Sequence, residues 1–469
     1  MFNFKHILCS STVGERMGLG LLFFLLLLSS CISREPREQI LKVYNWGDYI
    51  DEDRLAAFPA WYERQTGEKV RVIYQTFDIN EVMLTKIERG HEDYDVVCPS
   101  EYIIERMLRK NLLLPIDTCF GRTPNYIRNV SPYVVSQIDK IKCGASGNDA
   151  QGSARRSIVP HRYAVPYMWG TCGILYNRSH VPTADARTWG TLWNPKYRAK
   201  LLMKDSYRDS YGTALIWHYR RDLASGRKTV AQLMNDYSPE AIGVVERELK
   251  ALKPNIEGWE ADFGKETMTK GKALLNMTWS GDAAWAIEEA GRVGVSLGYE
   301  VPREGSNVWF DGWVIPKYAR NTKAAAYFIN YLCRGDVALD NMQTTGYVSS
   351  VATDDVLRAM SDSTQYPEAR DLAYFFGTPG ARRAHLNPIM YPDSTTVARC
   401  AMIHDAGDRT AAVMDMWSKV KGDNLGGGLV VFLLAVVAAL TIFVGIKKVE
   451  HARHRRLARR HRRHHVIRL

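Results

Sequence analysis

A chain of 469 residues has room for two or three domains. Its composition, 46% hydrophobic and 24% charged, is that of a globular protein and excludes a disordered one. The formal charge of +11 suggests a nucleic-acid binder only until it is located: from Lys447 onward two Lys and eight Arg face one Glu, so the surplus sits in the tail, the body is nearly neutral, and nucleic acid is not an expected partner.

Residues 1–30 place Lys5 and Arg16 ahead of an apolar run beginning at Met17 and ending in Leu28-Ser29-Ser30, with Cys31 next. A basic start, about a dozen apolar residues and small residues before the cut describe an export signal. The order apolar run, small residues, Cys resembles the bacterial lipobox, which makes Cys31 the candidate lipidation site; a chance Cys behind an uncleaved segment is the alternative, and Met17 is a second possible start. The alternating run Ile40 to Tyr44 reads as a strand, and Trp46-Gly47-Asp48-Tyr49 crowds two aromatics and a carboxylate at its carboxyl end, before a helix. Ligands bind at that end of strands in open α/β sheets. Such a group suits an organic cation or packs at the core's edge, and both readings stand at this point.

Lys69 to Tyr74 alternates as a second strand, and Asn80 is placed to cap a helix that runs to Gly90. Tyr94 to Pro99 reads as a short buried strand, followed by Ser100, Tyr102 and a helix from Ile103 to Lys110. Strands alternating with helices of this length predict a parallel, doubly wound sheet. The Gly/Ser-rich stretch 143–157 reads as a loop, and Tyr163 to Asn177 as a crossover into a second lobe. Leu201-Leu202-Met203 reads as a strand leading to Asp205, Ser206, Arg208 and Asp209; Asp205 is read as a helix cap, and Asp209 equally as cap or ligand. Lys272 to Thr278 predicts a strand running into Trp279-Ser280-Gly281-Asp282, with a helix over Ala283 to Ala290. Trp309-Phe310-Asp311-Gly312 is read as a third such group, preceding a strand over Trp313 to Pro316. Three Trp/Asp groups beside strands, on one rim, form more than a packing coincidence.

These pieces resemble the polyamine-binding proteins of ABC importers, the spermidine/putrescine-binding branch of the bilobal solute receptors. The matching motifs are YNWGDYI (44–50), YDVVCPSEY (94–102), VPYMWGTCGILYN (165–177), LLMKDSYRD (201–209), TWSGDAAWA (278–286), WFDGWVIP (309–316) and TGYVSS (345–350), in the family's order over roughly 80% of the chain. The resemblance implies an α/β, bilobal periplasmic-binding-protein fold of type II with two inter-lobe crossings. Lobe 1 is expected over 31–165 and 312–346, and lobe 2 over 166–311 and 347–424. It also implies an extracytoplasmic, non-enzymatic receptor with no cofactor or metal, whose partners are putrescine or spermidine and the permease subunits of an ABC importer.

Carried over residue by residue, Trp46, Tyr49, Tyr102, Trp279, Trp309 and Tyr347 fall on the aromatic box, Ser100 on a hydroxyl ligand, and Asp209 and Asp311 on amine-binding carboxylates. Gly47 stands where spermidine receptors have Thr, and Ser206 where they have a further Asp. Asp48 and the spacing of Trp279 to Asp282 look like the putrescine-specific receptors, so the expectation leans to the shorter diamine. Asp311 and Asp282 are expected to serve one ammonium, with Asp48 or Asp209 at the other.

Beyond the family pattern, Leu429 to Ile446 carries no charge, and 425–446 approaches the length of a membrane-spanning helix, with 447–469 as a basic cytoplasmic tail. A lipid-binding tail, a nucleic-acid patch and a readthrough fusion remain open there. The Cys residues show no CxxC or Cys/His metal spacing; Cys98 and Cys172, in apolar strands, are expected free and buried. His91-Glu92-Asp93 reads as a solvated turn rather than a metal site. Two other functions are weighed: an exported hydrolase using Asp282 and Asp311 as acid and base, which leaves the ordered motif set unexplained, and a sensor signalling through the membrane helix, which has no output domain.

Overall fold

The computed structural model describes residues 35–141, 158–261 and 263–422, with 435–437, 440, 441, 443 and 447. Cys31, the leader, the whole loop 143–157, most of the apolar run 425–446 and the tail beyond Lys447 lie outside them. Among the described residues no helix is long and apolar enough to cross a membrane.

Among the described residues twelve strands form the frame: β1 (Ile40–Trp46), β2 (Arg71–Phe77), β3 (Val96–Val97), β4 (Leu113–Leu114), β5 (Ala164–Asn177), β6 (Leu201–Lys204), β7 (Ile256–Glu260), β8 (Leu275–Trp279), β9 (Leu297–Glu300), β10 (Ser306–Pro316), β11 (Val348–Ser349) and β12 (Cys400–Ala401). The principal order is β2-β1-β3-β10-β5-β8-β6-β7. β1, β2 and β3 are mutually parallel, as are β6, β7 and β8, whereas β5 and β10 run antiparallel to their neighbours in this order; off it, β12 pairs with β10 in parallel. The sheet is therefore mixed rather than uniformly parallel, because β5 and β10 serve both lobes.

Each half has its own core. Phe58, Trp313 and Phe328 belong to the first, and Trp189, Leu215 and Met277 to the second. β5 passes from one to the other and is buried along its whole length, as is β10. A strand covered on both faces needs no polar alternation, which explains the continuous apolar reading of both segments. The same property hid the true start of β10: Trp309 to Gly312 lies inside this strand, not ahead of it.

Other boundaries also differ from expectation. Val348, Val351, Val356, Leu372, Phe375 and Tyr391 are buried in the first core, so the segment 348–397 packs with lobe 1 and not lobe 2. Only after β12 does the chain return, placing Ile403, Val413, Met416 and Val420 in the second core. The chain thus still passes between the lobes at β5, at β10 and once more, as the expected bounds imply, but the third passage lies near β12 rather than at 346. Asn80 does not cap its helix; it is the first residue of Asn80–Glu88, and its amide is used elsewhere. Cys98 and Cys172 are buried and free. His91 and Glu92 are exposed, and among the described residues no group of His, Cys, Asp or Glu could hold a metal.

Candidate functional site

The carboxyl ends of β1 and β3 in lobe 1, and of β6 and β8 in lobe 2, deliver their following residues to the junction between the lobes, with β10 running through it. Asp311 marks the point where the β10–β5 register shifts between Asp311 and Gly312. A Cβ on Gly312 would stand 3.1 Å from Ile104 Cδ1 and 3.2 Å from the Val165 carbonyl oxygen, so a small residue suits this bulge. Asp311 is only 8% exposed. Ser100 Oγ donates to one carboxylate oxygen at 2.7 Å and Tyr49 hydroxyl to the other at 2.9 Å. Asn80 Nδ2 donates to Ser100 Oγ (3.1 Å) and to Tyr102 hydroxyl (2.7 Å), which fixes the Ser100 proton toward Asp311. Burial pushes the Asp311 carboxyl up to about 6, with the two hydroxyls pulling the other way. Among the described residues no Lys or Arg pairs with it.

Asp209 is built from lobe 2. Ser206 caps the helix Tyr207–His218 by accepting from the Asp209 amide, and its hydroxyl donates to Asp209 Oδ2 at 2.8 Å. Asn307 Nδ2 donates to Oδ1 at 2.9 Å and Trp279 Nε1 to Oδ2 at 3.3 Å. Every donor is uncharged, so the carboxylate is oriented without being neutralised.

Between these two carboxylates runs an aromatic wall. Ring centroids are 6.4 Å apart for Trp279 and Trp309, 5.7 Å for Trp309 and Tyr347, and 5.4 Å for Tyr347 and Tyr49, all edge-to-face. Trp279 and Tyr49 also hydrogen-bond the two carboxylates, so the wall joins them physically. Trp46 packs on Phe77 at 4.5 Å. Gly47 and Asp48 are exposed in the turn after it, and Asp48 adopts φ +51°, a left-handed conformation that Asp tolerates better than most residues.

Asp282, in the first turn of the helix Ser280–Arg292, is placed differently from expectation. Its Oδ2 accepts from Lys204 Nζ at 2.9 Å and its Oδ1 from Tyr347 hydroxyl at 2.8 Å. Burial alone would raise its pKa, but the Lys204 ammonium outweighs that and holds the carboxyl below its usual range. Asp282 does not stand with Asp311 as a free pair for one ammonium. Nor can it act as the acid of a hydrolase: it is ionised by a neighbouring cation and has no proton to give.

Three groups that sequence reasoning passed over complete the junction. Arg208 of lobe 2 stacks on Tyr102 of lobe 1 (3.8 Å to the centroid) and donates to Glu81 of lobe 1 at 2.8 Å. Glu101, 2% exposed, has its carboxyl pushed far up by burial, with Asp311 and then Asp209 adding to the effect, so it is a neutral acid beside the charged ones. Lys204 is the third. A basic residue closing the apolar strand Leu201-Leu202-Met203 was the available signal for it, since a charge carried inward must find partners.

A two-lobed body with strand ends facing a common cleft, and polar groups convergent within it, defines a solute receptor. The chain belongs to the bacterial extracellular solute-binding proteins, whose family model matches residues 59–371. It is 30% identical over 336 residues to the spermidine/putrescine-binding periplasmic protein of Escherichia coli K12, covering 71% of this chain and 84% of that protein. It is 28% identical to the putrescine-binding periplasmic protein PotF of the same organism, covering 68% and 80%. Among solved structures, the spermidine/putrescine substrate-binding protein PotD of Streptococcus pneumoniae superposes with TM-score 0.59 at 29% identity, over 82% of this chain and 98% of that one. The resemblance read from the motifs is thereby borne out at the level of the family.

Proposed function

We propose that this protein is an extracytoplasmic polyamine receptor, favouring putrescine, that closes its lobes on the ligand and delivers it to an ABC-type permease. One observation carries the reading: Asp311 and Asp209 are buried carboxylates held, among the described residues, by uncharged donors only and joined by a wall of Trp and Tyr rings. An α,ω-diamine complements such a slot, with an ammonium for each carboxylate and methylenes against the rings. Ser100, Tyr49 and Ser206 orient the carboxylates, Trp279, Trp309 and Tyr347 cover the methylenes, and Trp46, Gly47, Asp48 and Tyr102 form the entrance. The relatives named for spermidine and putrescine binding support the substrate class. Contacts of Arg208 with Glu81 and Tyr102 give the closed lobes a latch outside the slot.

The leader and Cys31 favour a periplasmic location with a lipid anchor, and the apolar run 425–446 with its basic flank favours a second attachment to the membrane. Mass spectrometry of the native protein tests both: a lipidated Cys31 and peptides beyond Gly422 are expected, and their absence removes the anchor and the helix respectively. The binding claim is tested by thermal shift with putrescine, cadaverine, spermidine and spermine. Stabilisation that grows with the concentration of at least one is expected. No shift with any of them overturns the proposal.

A further inference from the structure

Lys204 closes β6 with its side chain 2% exposed, and its ammonium is held at three points. It donates to Asp282 Oδ2 at 2.9 Å, lies 3.3 Å from Glu260 Oε1, and sits 4.2 Å from the centre of a Trp279 ring. Burial opposes its charge, but the two carboxylates more than compensate and raise its pKa. Glu260 is held from behind by the Gly264 amide and Asn276 Nδ2. Tyr347 takes the second oxygen of Asp282. An ammonium lying on an indole face and paired with a carboxylate is the very arrangement that a slot of this kind offers a cationic ligand. At this end the chain supplies the ammonium itself.

We propose that Lys204 is a specificity-determining residue that fills one amine subsite from within, so that the slot accepts two ammonium groups, at Asp311 and Asp209, and rejects a third. The inference rests on the polyamine reading and deepens it. A further ligand ammonium brought to Trp279 would meet a like charge at close range and a carboxylate whose two oxygens are already engaged. Water is scarce there, since Lys204, Asp282 and Glu260 are all buried, so the repulsion is weakly screened. Discrimination then comes from a repulsive element and not only from attraction to the preferred ligand.

Two measurements decide it. In calorimetric titration of the wild-type protein, putrescine or cadaverine should bind about tenfold or more tightly than spermidine. A preference below about threefold, or spermidine binding more tightly, overturns the assignment. In the double variant Lys204→Met/Glu260→Gln the ammonium goes together with the carboxylate behind it, leaving Asp282 to a ligand. There the ratio should move toward spermidine by about tenfold, and a shift under about threefold again overturns the proposal. If the double variant does not fold, the wild-type series alone decides. Wild-type protein that binds none of these amines refutes the polyamine reading itself, whereas binding in the wrong order refutes only the role of Lys204.

Discussion

Asp311 and Asp282 are two carboxylates of one cleft, almost equally buried at 8% and 7% exposure, and they are in opposite electrostatic states. Asp311 receives two hydroxyl protons and, among the described residues, no cation, and its pKa rises from 3.8 to about 6. Asp282 receives the Tyr347 hydroxyl, a longer bond from the Thr278 hydroxyl and the Lys204 ammonium, and its pKa falls. Burial is the same for both; the partner decides. A buried carboxylate without a cation holds unfavourable free energy that a cationic ligand can release, whereas one already paired has released it within the fold. Asp311 is on this view an address for ligand and Asp282 a structural group with a bearing on selectivity.

Removing the cation in Lys204→Met takes from buried Asp282 and Glu260 their ion-pair partner and leaves Asp282 only the weaker field of Lys265, which should cost about 3–5 kcal/mol of stability in chemical denaturation. A loss under about 1 kcal/mol would mean that these carboxylates are not held by Lys204.

The next effect is in pH. Because the folded pKa of Asp311 is raised, the ligand-free protein carries the full cost of ionising it above about pH 6, a cost of about 3 kcal/mol that fades as pH falls toward 4. Asp282 behaves in the opposite sense: its contribution is present above the usual carboxylate range and is lost only as pH falls through its depressed value. If an ammonium pairs with Asp311 as proposed, binding needs that carboxyl ionised, so affinity should fall about tenfold between pH 7 and pH 5, with a proton released on binding near pH 5.5. Titrations in buffers of different ionisation enthalpy read that proton, and pH-independent affinity with no proton released would place the ammonium elsewhere.

Smaller effects belong outside the slot. Replacing Arg208 by Ala removes the contacts to Glu81 and Tyr102 across the lobes. Ligand release in stopped flow should become about three- to tenfold faster, with little change in association. Smallest is Asp48→Asn. Asp48 is exposed, and Asn accepts its left-handed conformation, so affinity should stay within about twofold. A larger loss would return Asp48 to the binding carboxylates.

How far the sequence disclosed this depends on the kind of signal. Trp46, Ser100 and Trp279 were legible because strand, aromatic or hydroxyl, and helix start follow one another within a few residues. Asp311 was found as a carboxylate but misplaced relative to its strand, since β10 is buried on both faces and shows no alternation to mark its start. The segment 348–397 was assigned to the wrong lobe because its helices are short, such as Asp354–Met360 and Ala373–Phe376, and its apolar residues follow no long period. The pairing of Lys204 with Asp282 joins residues 78 positions apart and is invisible to local pattern. What pointed to it was a charge at the end of an apolar strand, a local conflict that only tertiary structure resolves.

The most direct test sets wild type beside Asp311→Asn in calorimetric titration with putrescine at neutral pH. Saturable one-site binding is expected in the wild type, weakened about 100-fold or more by the substitution, as befits loss of the partner of a buried charge. Equal affinity in the two proteins, or no binding in either, would contradict the account.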